Sequence, residues 1–161
     1  MFLVLDFASI ETDDNPVVSA VANFDEYRAE ELEWLERTAD EWLAGAFDAD
    51  RLVVVCHVPY GIRAERYYPE FSHALISITE RMGADLLIGG HVHLTEFHYP
   101  NTGINAADYA VVAGSIRNDA YPDHESVSAF RFTGTALEIR EDGITVMFTD
   151  QNKDVKGVYE V

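Results

Sequence analysis

The 161 residues are enough for one domain or most of one, and at 48% hydrophobic they exclude a disordered chain. The longest apolar runs, at 52–56 and 86–88, are far shorter than the about 20 residues a membrane-spanning helix needs. A net charge of −18, from 29 acidic against 11 basic residues, argues against long nucleic acids held by a basic surface, because no Lys/Arg cluster is there to release counterions.

That charge leaves a phosphate substrate open, since a bound divalent ion can reverse the field in a small site. Only Lys153 and Lys156 are lysines, and an acidic, lysine-poor surface suits a salt-rich interior. The start Met1-Phe-Leu-Val-Leu-Asp shows no basic lead-in and no cleavage pattern, so a cytoplasmic protein is expected. The single cysteine, Cys56, cannot form an internal disulfide and reads as a small core residue.

Residues 2–6 read as a buried strand ending in Asp6, and 11–23 as a surface loop. Residues 25–44 predict a helix, with Leu32, Leu35, Ala39, Trp42 and Leu43 on one face and Trp34 beside it. Asp25 is the expected N-cap, Gly45 the stop, and Glu26, Glu30, Glu33 and Glu41 a solvated face. Residues 51–56 are β-branched and apolar, a strand buried on both faces, and run into His57-Val58-Pro59-Tyr60-Gly61. A second helix is expected over 69–82, with Pro69 in its first turn and Gly83 ending it. A short strand over 85–88 then leads into Gly89-Gly90-His91-Val92-His93. Strand, helix, strand, helix, strand predicts an α/β fold with right-handed crossovers and a largely parallel core. Beyond residue 94, strands are expected at 109–113, 126–132, 136–140 and 144–148, with a turn at Asp142-Gly143, forming an antiparallel portion of the same single domain.

The chemistry gathers at strand ends. On an extended backbone His91 and His93 face one site and Val92 turns away, while the glycines let the chain turn sharply. His57 follows another buried strand, and ligands of open α/β sheets collect at that edge. Three histidines without matching cysteines suit Zn, Fe, Mn or Ni. The nearby carboxylates, Asp6 and Asp85, leave the set incomplete, because Asp85 lies at the wrong end of its strand. Tyr60 and Arg63 follow His57 in a loop expected to overlook the site, where they could bind substrate. His73 reads as solvated, and His98 and His124 as loop or strand-end residues.

Four pieces occur in order: the opening Phe-Leu-Val-Leu-Asp, the helix with Glu31-Leu32-Glu33-Trp34-Leu35, Val-Cys-His57-Val-Pro, and Gly-Gly-His91-Val-His93. Together they resemble the C-terminal half of a calcineurin-like metallophosphoesterase, in the superfamily that includes purple acid phosphatases. The resemblance implies part of a four-layer αββα sandwich with mixed sheets, its N-terminal half absent. It also implies two divalent metal ions, such as Mn, Fe or Zn, with His57 and His91 on one and His93 on the other. The implied reaction is hydrolysis of a phosphate ester by a metal-activated water. Nothing in residues 1–56 matches the family's earlier motifs, Asp-x-His, Gly-Asp and Gly-Asn-His, which supply the bridging carboxylate and the leaving-group acid. The missing half is therefore an expected partner. Two other readings fit the same residues: a non-catalytic binding module of this fold, and a mononuclear protein holding one metal on three histidines.

Overall fold

The computed structural model describes residues 1–6, 16–17, 23–62, 69–114, 133–150 and 152–161. Among these, the elements run β1 (Phe2–Leu5), α1 (Phe24–Leu43), β2 (Val53–Cys56), α2 (Pro69–Arg81), β3 (Leu86–Gly89), β4 (Glu96–His98), β5 (Ala110–Ala113), β6 (Thr133–Arg140), β7 (Gly143–Asp150) and β8 (Val155–Glu160). The strand expected at 126–132 and most of the loop at 11–23 lie outside the described residues.

Five strands form one sheet in the order β1-β2-β3-β5-β4, parallel except for β4, which runs antiparallel to β5. The expected parallel core is present, and it gains a strand: residues 110–113 pair in parallel with β3 instead of joining the antiparallel portion. That portion is a separate three-stranded meander, β6-β7-β8. Its first turn is Glu141-Asp142, with Gly143 already paired to Arg140 inside the sheet. Gly143 serves a close approach rather than a turn, since a Cβ there would lie 2.9 Å from the Val161 carbonyl.

Strand alternation sorts the side chains into two cores. Leu3, Leu5, Val54, Cys56, Leu87 and Val111 face both helices, where they meet Leu35, Ala39, Leu75 and Ile78. Val53, Leu86, Ala110 and Val112 face the other way, onto Ile144, Val146 and Phe148 of β7. The described residues thus stack in three layers: helices, mixed sheet, antiparallel sheet. β6 lies toward β1, where Arg51 Nη2 donates to the Glu141 carbonyl at 2.8 Å. β8 lies toward β4, where Tyr159 stacks on Phe97 with ring centres 4.3 Å apart.

The N-cap of α1 is Asn23, not Asp25: its side chain accepts the Glu26 N–H at 3.3 Å, and its own amide donates to the Glu26 carboxylate. This reciprocal contact three residues apart resembles a capping box and starts the helix earlier than expected. On the core face Leu35 and Ala39 are buried, while Leu43 in the last turn is 56% exposed. Trp42 ties the two helices through an indole N–H to the Met82 carbonyl (2.8 Å). The four glutamates of the outer face are exposed, as the sequence predicts. Among the described residues no helix is long and apolar enough to cross a membrane.

Candidate functional site

Parallel pairing aligns the C-terminal ends of β1, β2 and β3 in one row. The register Leu5↔Cys56 and Val55↔Ile88, continued past the strands, sets Asp6, His57 and Gly90 side by side. His91 follows directly. Its Nδ1 lies 3.4 Å from His57 Nε2, the rings edge-on at 84°. The two motifs therefore meet, although 34 residues separate them in the chain.

The turn that brings them together differs from the one expected. His91 (φ +57°) and His93 (φ +56°) both take the left-handed conformation, whereas Gly89 and Gly90 do not have positive φ. The backbone is not extended through His91-Val92-His93, so the two imidazoles are not simple same-face neighbours. Val92 packs partly against the helix-side core between them. Histidine is among the residues enriched at positive φ, yet each such residue still costs on the order of 1 kcal/mol. What Gly89 provides is proximity: a Cβ there would sit 2.7 Å from Pro59 Cβ and 3.0 Å from its backbone. Only glycine lets the two histidine loops touch at this point. Gly90 N–H then donates to the His57 carbonyl at 2.8 Å, closing the contact.

The loop after His57 is fixed from below. Tyr60 is only 1% exposed, and its hydroxyl forms a buried triangle with Thr79 (3.3 Å) and Tyr109 (3.3 Å), which are themselves 2.8 Å apart. Burial pushes its ionisation well above the usual tyrosine range. Tyr60 is therefore a core anchor and does not overlook the site, a correction to the substrate-binding role expected from its place in the chain. Asn105, fully buried, bridges the next step: its amide donates to the Tyr99 (3.1 Å) and Tyr109 (2.8 Å) carbonyls, and its oxygen accepts the Ala107 N–H (3.1 Å). It also forms a β-bridge with Ile62. Arg63 lies outside the described residues, as does His124.

The remaining candidates have clear places. Cys56 is buried, donates its thiol to the Val58 carbonyl (2.9 Å), and is pushed up by burial, so it is an inert core thiol. Asp85 sits at the opposite sheet edge, accepting from Arg51 (2.7 Å) and from the Leu52 N–H (2.8 Å), a structural pairing. His98 pairs with buried Glu96 at 3.1 Å on β4. His93 and His57 are exposed and His91 half-buried. Among the described residues no three His, Cys, Asp or Glu side chains gather closely enough to hold a metal ion.

A carboxylate from the helix layer adjoins this row. Glu31 of α1 accepts the Asp6 N–H with Oε1 (2.7 Å), holding the end of β1, while its Oε2 is buried without a hydrogen-bond partner among the described residues. Burial is the main cause that raises its pKa from 4.5 to about 7; the Asp6 N–H and Arg28 act against it, and the Asp6 charge adds to it. The clue was spacing: Glu31 precedes Leu35 and Ala39 by four and eight residues, on the flank of the buried stripe.

No family model matches the sequence, and no curated protein matches it. Solved structures do. A structure described as "GAP50 the anchor in the inner membrane complex of Plasmodium" matches 99% of this chain with a TM-score of 0.67 at 16% identity. The chain spans 48% of that protein's length. A conserved uncharacterized protein from Streptococcus pneumoniae TIGR4, described as a predicted phosphoesterase, matches 99% of this chain and 97% of its own length at 10% identity, with a TM-score of 0.41. A Vps29 double mutant from Entamoeba histolytica matches 81% of this chain and 87% of its own at 13% identity, with a TM-score of 0.34. The last two fall below the similarity at which a common fold can be argued; the first shows that this chain has the fold of about half of GAP50.

Proposed function

We propose that these residues form one wall of a metal-dependent phosphoesterase centre, with His57 and His91 on one divalent ion and His93 on a second. The observation that carries this reading is the His57–His91 pair. Two nitrogens bound to one tetrahedral ion at about 2.0–2.1 Å stand roughly 3.3–3.4 Å apart, and His57 Nε2 and His91 Nδ1 are 3.4 Å apart. The donor set fits Zn, Mn or Fe, and it is short of ligands, because a catalytic centre also needs carboxylates. When bound, such ions supply Lewis-acid activation of water and neutralise charge on the phosphoryl group. This chain's own contribution is to hold the two imidazoles through the Gly89–Pro59 contact and to fix the end of β1 through Glu31. The three layers described above would be three of the four in an αββα sandwich, and the absent half would bring the bridging carboxylate beside Asp6 and His57.

A titration of the purified chain with Zn²⁺ or Mn²⁺, followed by calorimetry and metal analysis, tests the pair. Binding should weaken roughly tenfold or more in both His57→Ala and His91→Ala. Equal affinity in wild type and both variants would remove the metal reading. Hydrolysis of p-nitrophenyl phosphate is expected only once the missing ligands are present.

A second reading, a non-catalytic binding module, draws on GAP50 being described as an anchor and on the described residues gathering two donors instead of three. It predicts substoichiometric metal and no hydrolysis by the complete protein.

A further inference from the structure

The two stacked sheets end together. At one end Arg51, just ahead of β2, meets the Glu141 carbonyl in the β6–β7 turn. At the other, the Gly114 N–H donates to the Gly89 carbonyl at 2.8 Å, and a Cβ on Gly114 would lie 3.4 Å from Thr135 Oγ1 of β6. Thr135 pairs with Phe148, and Thr133 with Asp150, so β7 finishes at the end of the molecule that carries His57 and His91. The β7–β8 turn stands at that end too, and packed sheets lie about 10 Å apart. Asp150 shapes the turn: its Oδ1 accepts the N–H groups of Asn152 (2.8 Å) and Asp154 (3.0 Å), and its Oδ2 lies 3.2 Å from Lys156 Nζ. The Lys153 N–H donates to the Asp150 carbonyl at 3.0 Å, which fixes the tip. There Lys153 is exposed and makes no ion pair among the described residues.

We propose that Lys153 binds substrate and selects phosphate esters that carry a second phosphate roughly 6–10 Å from the one held at the histidine edge. The inference rests on the phosphoesterase reading for the first phosphate and adds the class of ester. A chain of net charge −18 repels a polyanion, so a second phosphate at this end is favourable only where a cation meets it. An ammonium is a good phosphate partner as a point charge, and its flexible four-carbon stem crosses part of the gap between the layers. The fixed turn sets where that stem begins, which lowers the ordering cost of binding. Lys156 does not take this role, because its Nζ is held by Asp150 at 3.2 Å and Asp154 at 3.6 Å. Arg28, Arg51, Arg81 and Arg140 are each paired with a carboxylate as well. Arg37 belongs to α1, in the layer on the opposite face of the mixed sheet.

The test titrates the Zn²⁺-loaded chain by calorimetry with n-butyl phosphate and with a ruler of alkanediol bisphosphates, two to six carbons long. The four-carbon bisphosphate should bind about tenfold or more tighter than n-butyl phosphate, the worth of one charge-assisted contact. Lys153→Gln should abolish that gain, Lys153→Arg should keep most of it, and Arg37→Gln should leave it unchanged. Because the chain has only two lysines, the ε-methylene NMR signal of Lys153 is readily assigned. It should move with the bisphosphate and not with the monophosphate, a readout that decides the matter should the glutamine variant not fold. No gain for any bisphosphate, a gain that survives Lys153→Gln, or a gain that survives His57→Ala would overturn the proposal. Monophosphate binding that is lost in His57→Ala, with no bisphosphate gain, would sink the Lys153 role alone. Monophosphate binding equal in wild type and His57→Ala would sink the phosphoesterase reading and this inference with it.

Discussion

Replacing Glu31 by glutamine should make the protein more stable at pH 8 and leave it unchanged near pH 4.5. The carboxylate has one buried oxygen with no hydrogen-bond partner among the described residues, and burial raises its pKa from 4.5 to about 7. A group whose folded pKa is raised favours the folded state fully at low pH, and that contribution is lost as pH rises through the folded value. The window here runs from about pH 4.5 to 7. At 1.36 kcal/mol per pKa unit the full shift would be worth about 3.4 kcal/mol. Glu31 is half-buried, so solvent screening reduces this to about 1–2 kcal/mol. Glutamine keeps a carbonyl oxygen for the Asp6 N–H and removes the charge. Urea denaturation of both proteins at pH 4.5, 5.5, 6.5 and 8 measures it: the gap between them should open across the window. A constant gap, or a glutamine variant less stable at pH 8, would refute the burial argument.

Three further outcomes follow from the geometry. Gly89→Ala forces a Cβ to 2.7 Å from Pro59 and should destabilise by about 1–3 kcal/mol through overpacking; the His57 and His91 imidazole NMR signals should shift with it, and unchanged signals would mean the two loops are not coupled there. Asn105→Ala strands the buried Tyr109 carbonyl and Ala107 N–H and the part-buried Tyr99 carbonyl, and should cost about 2–4 kcal/mol in denaturant unfolding; a loss under 1 kcal/mol would show that the 99–109 loop does not depend on it. The acidic, lysine-poor surface predicts a rising melting temperature toward molar KCl as self-repulsion is screened; no rise would end the salt-adapted reading.

The elements that a local pattern specifies were legible in the sequence. Both helices and strands β1 to β3 follow from period-3.6 stripes and short β-branched runs, with boundaries moved by a residue or two and the α1 cap moved to Asn23. Two strands were not legible, β4 and β8. β4 is three residues, Glu96–His98, and β8 interrupts its apolar residues with Lys156 and Gly157. They pair with β5 and β7 and meet each other through the Phe97–Tyr159 stack, a contact between distant residues that no local window contains. The site divides in the same way. Position along the chain named His57 and His91 because both follow buried strands, and it misplaced Tyr60 because sequence order cannot say which side of a loop faces inward. The sequence also could not say that the histidines, rather than the glycines before them, take positive φ, or that Gly89 is needed for its closeness to Pro59.

The left-handed histidines carry a conformational cost that the rest of the edge does not. Glycine at 91 or 93 would relax the backbone, and each exchange would favour folding by roughly 1 kcal/mol relative to alanine at the same place. The chain instead keeps a ring on both strained positions, within a sheet edge otherwise built from well-satisfied hydrogen bonds. The two rings that frame Val92 are therefore held at a conformational cost that the same turn would not carry with glycine at either place.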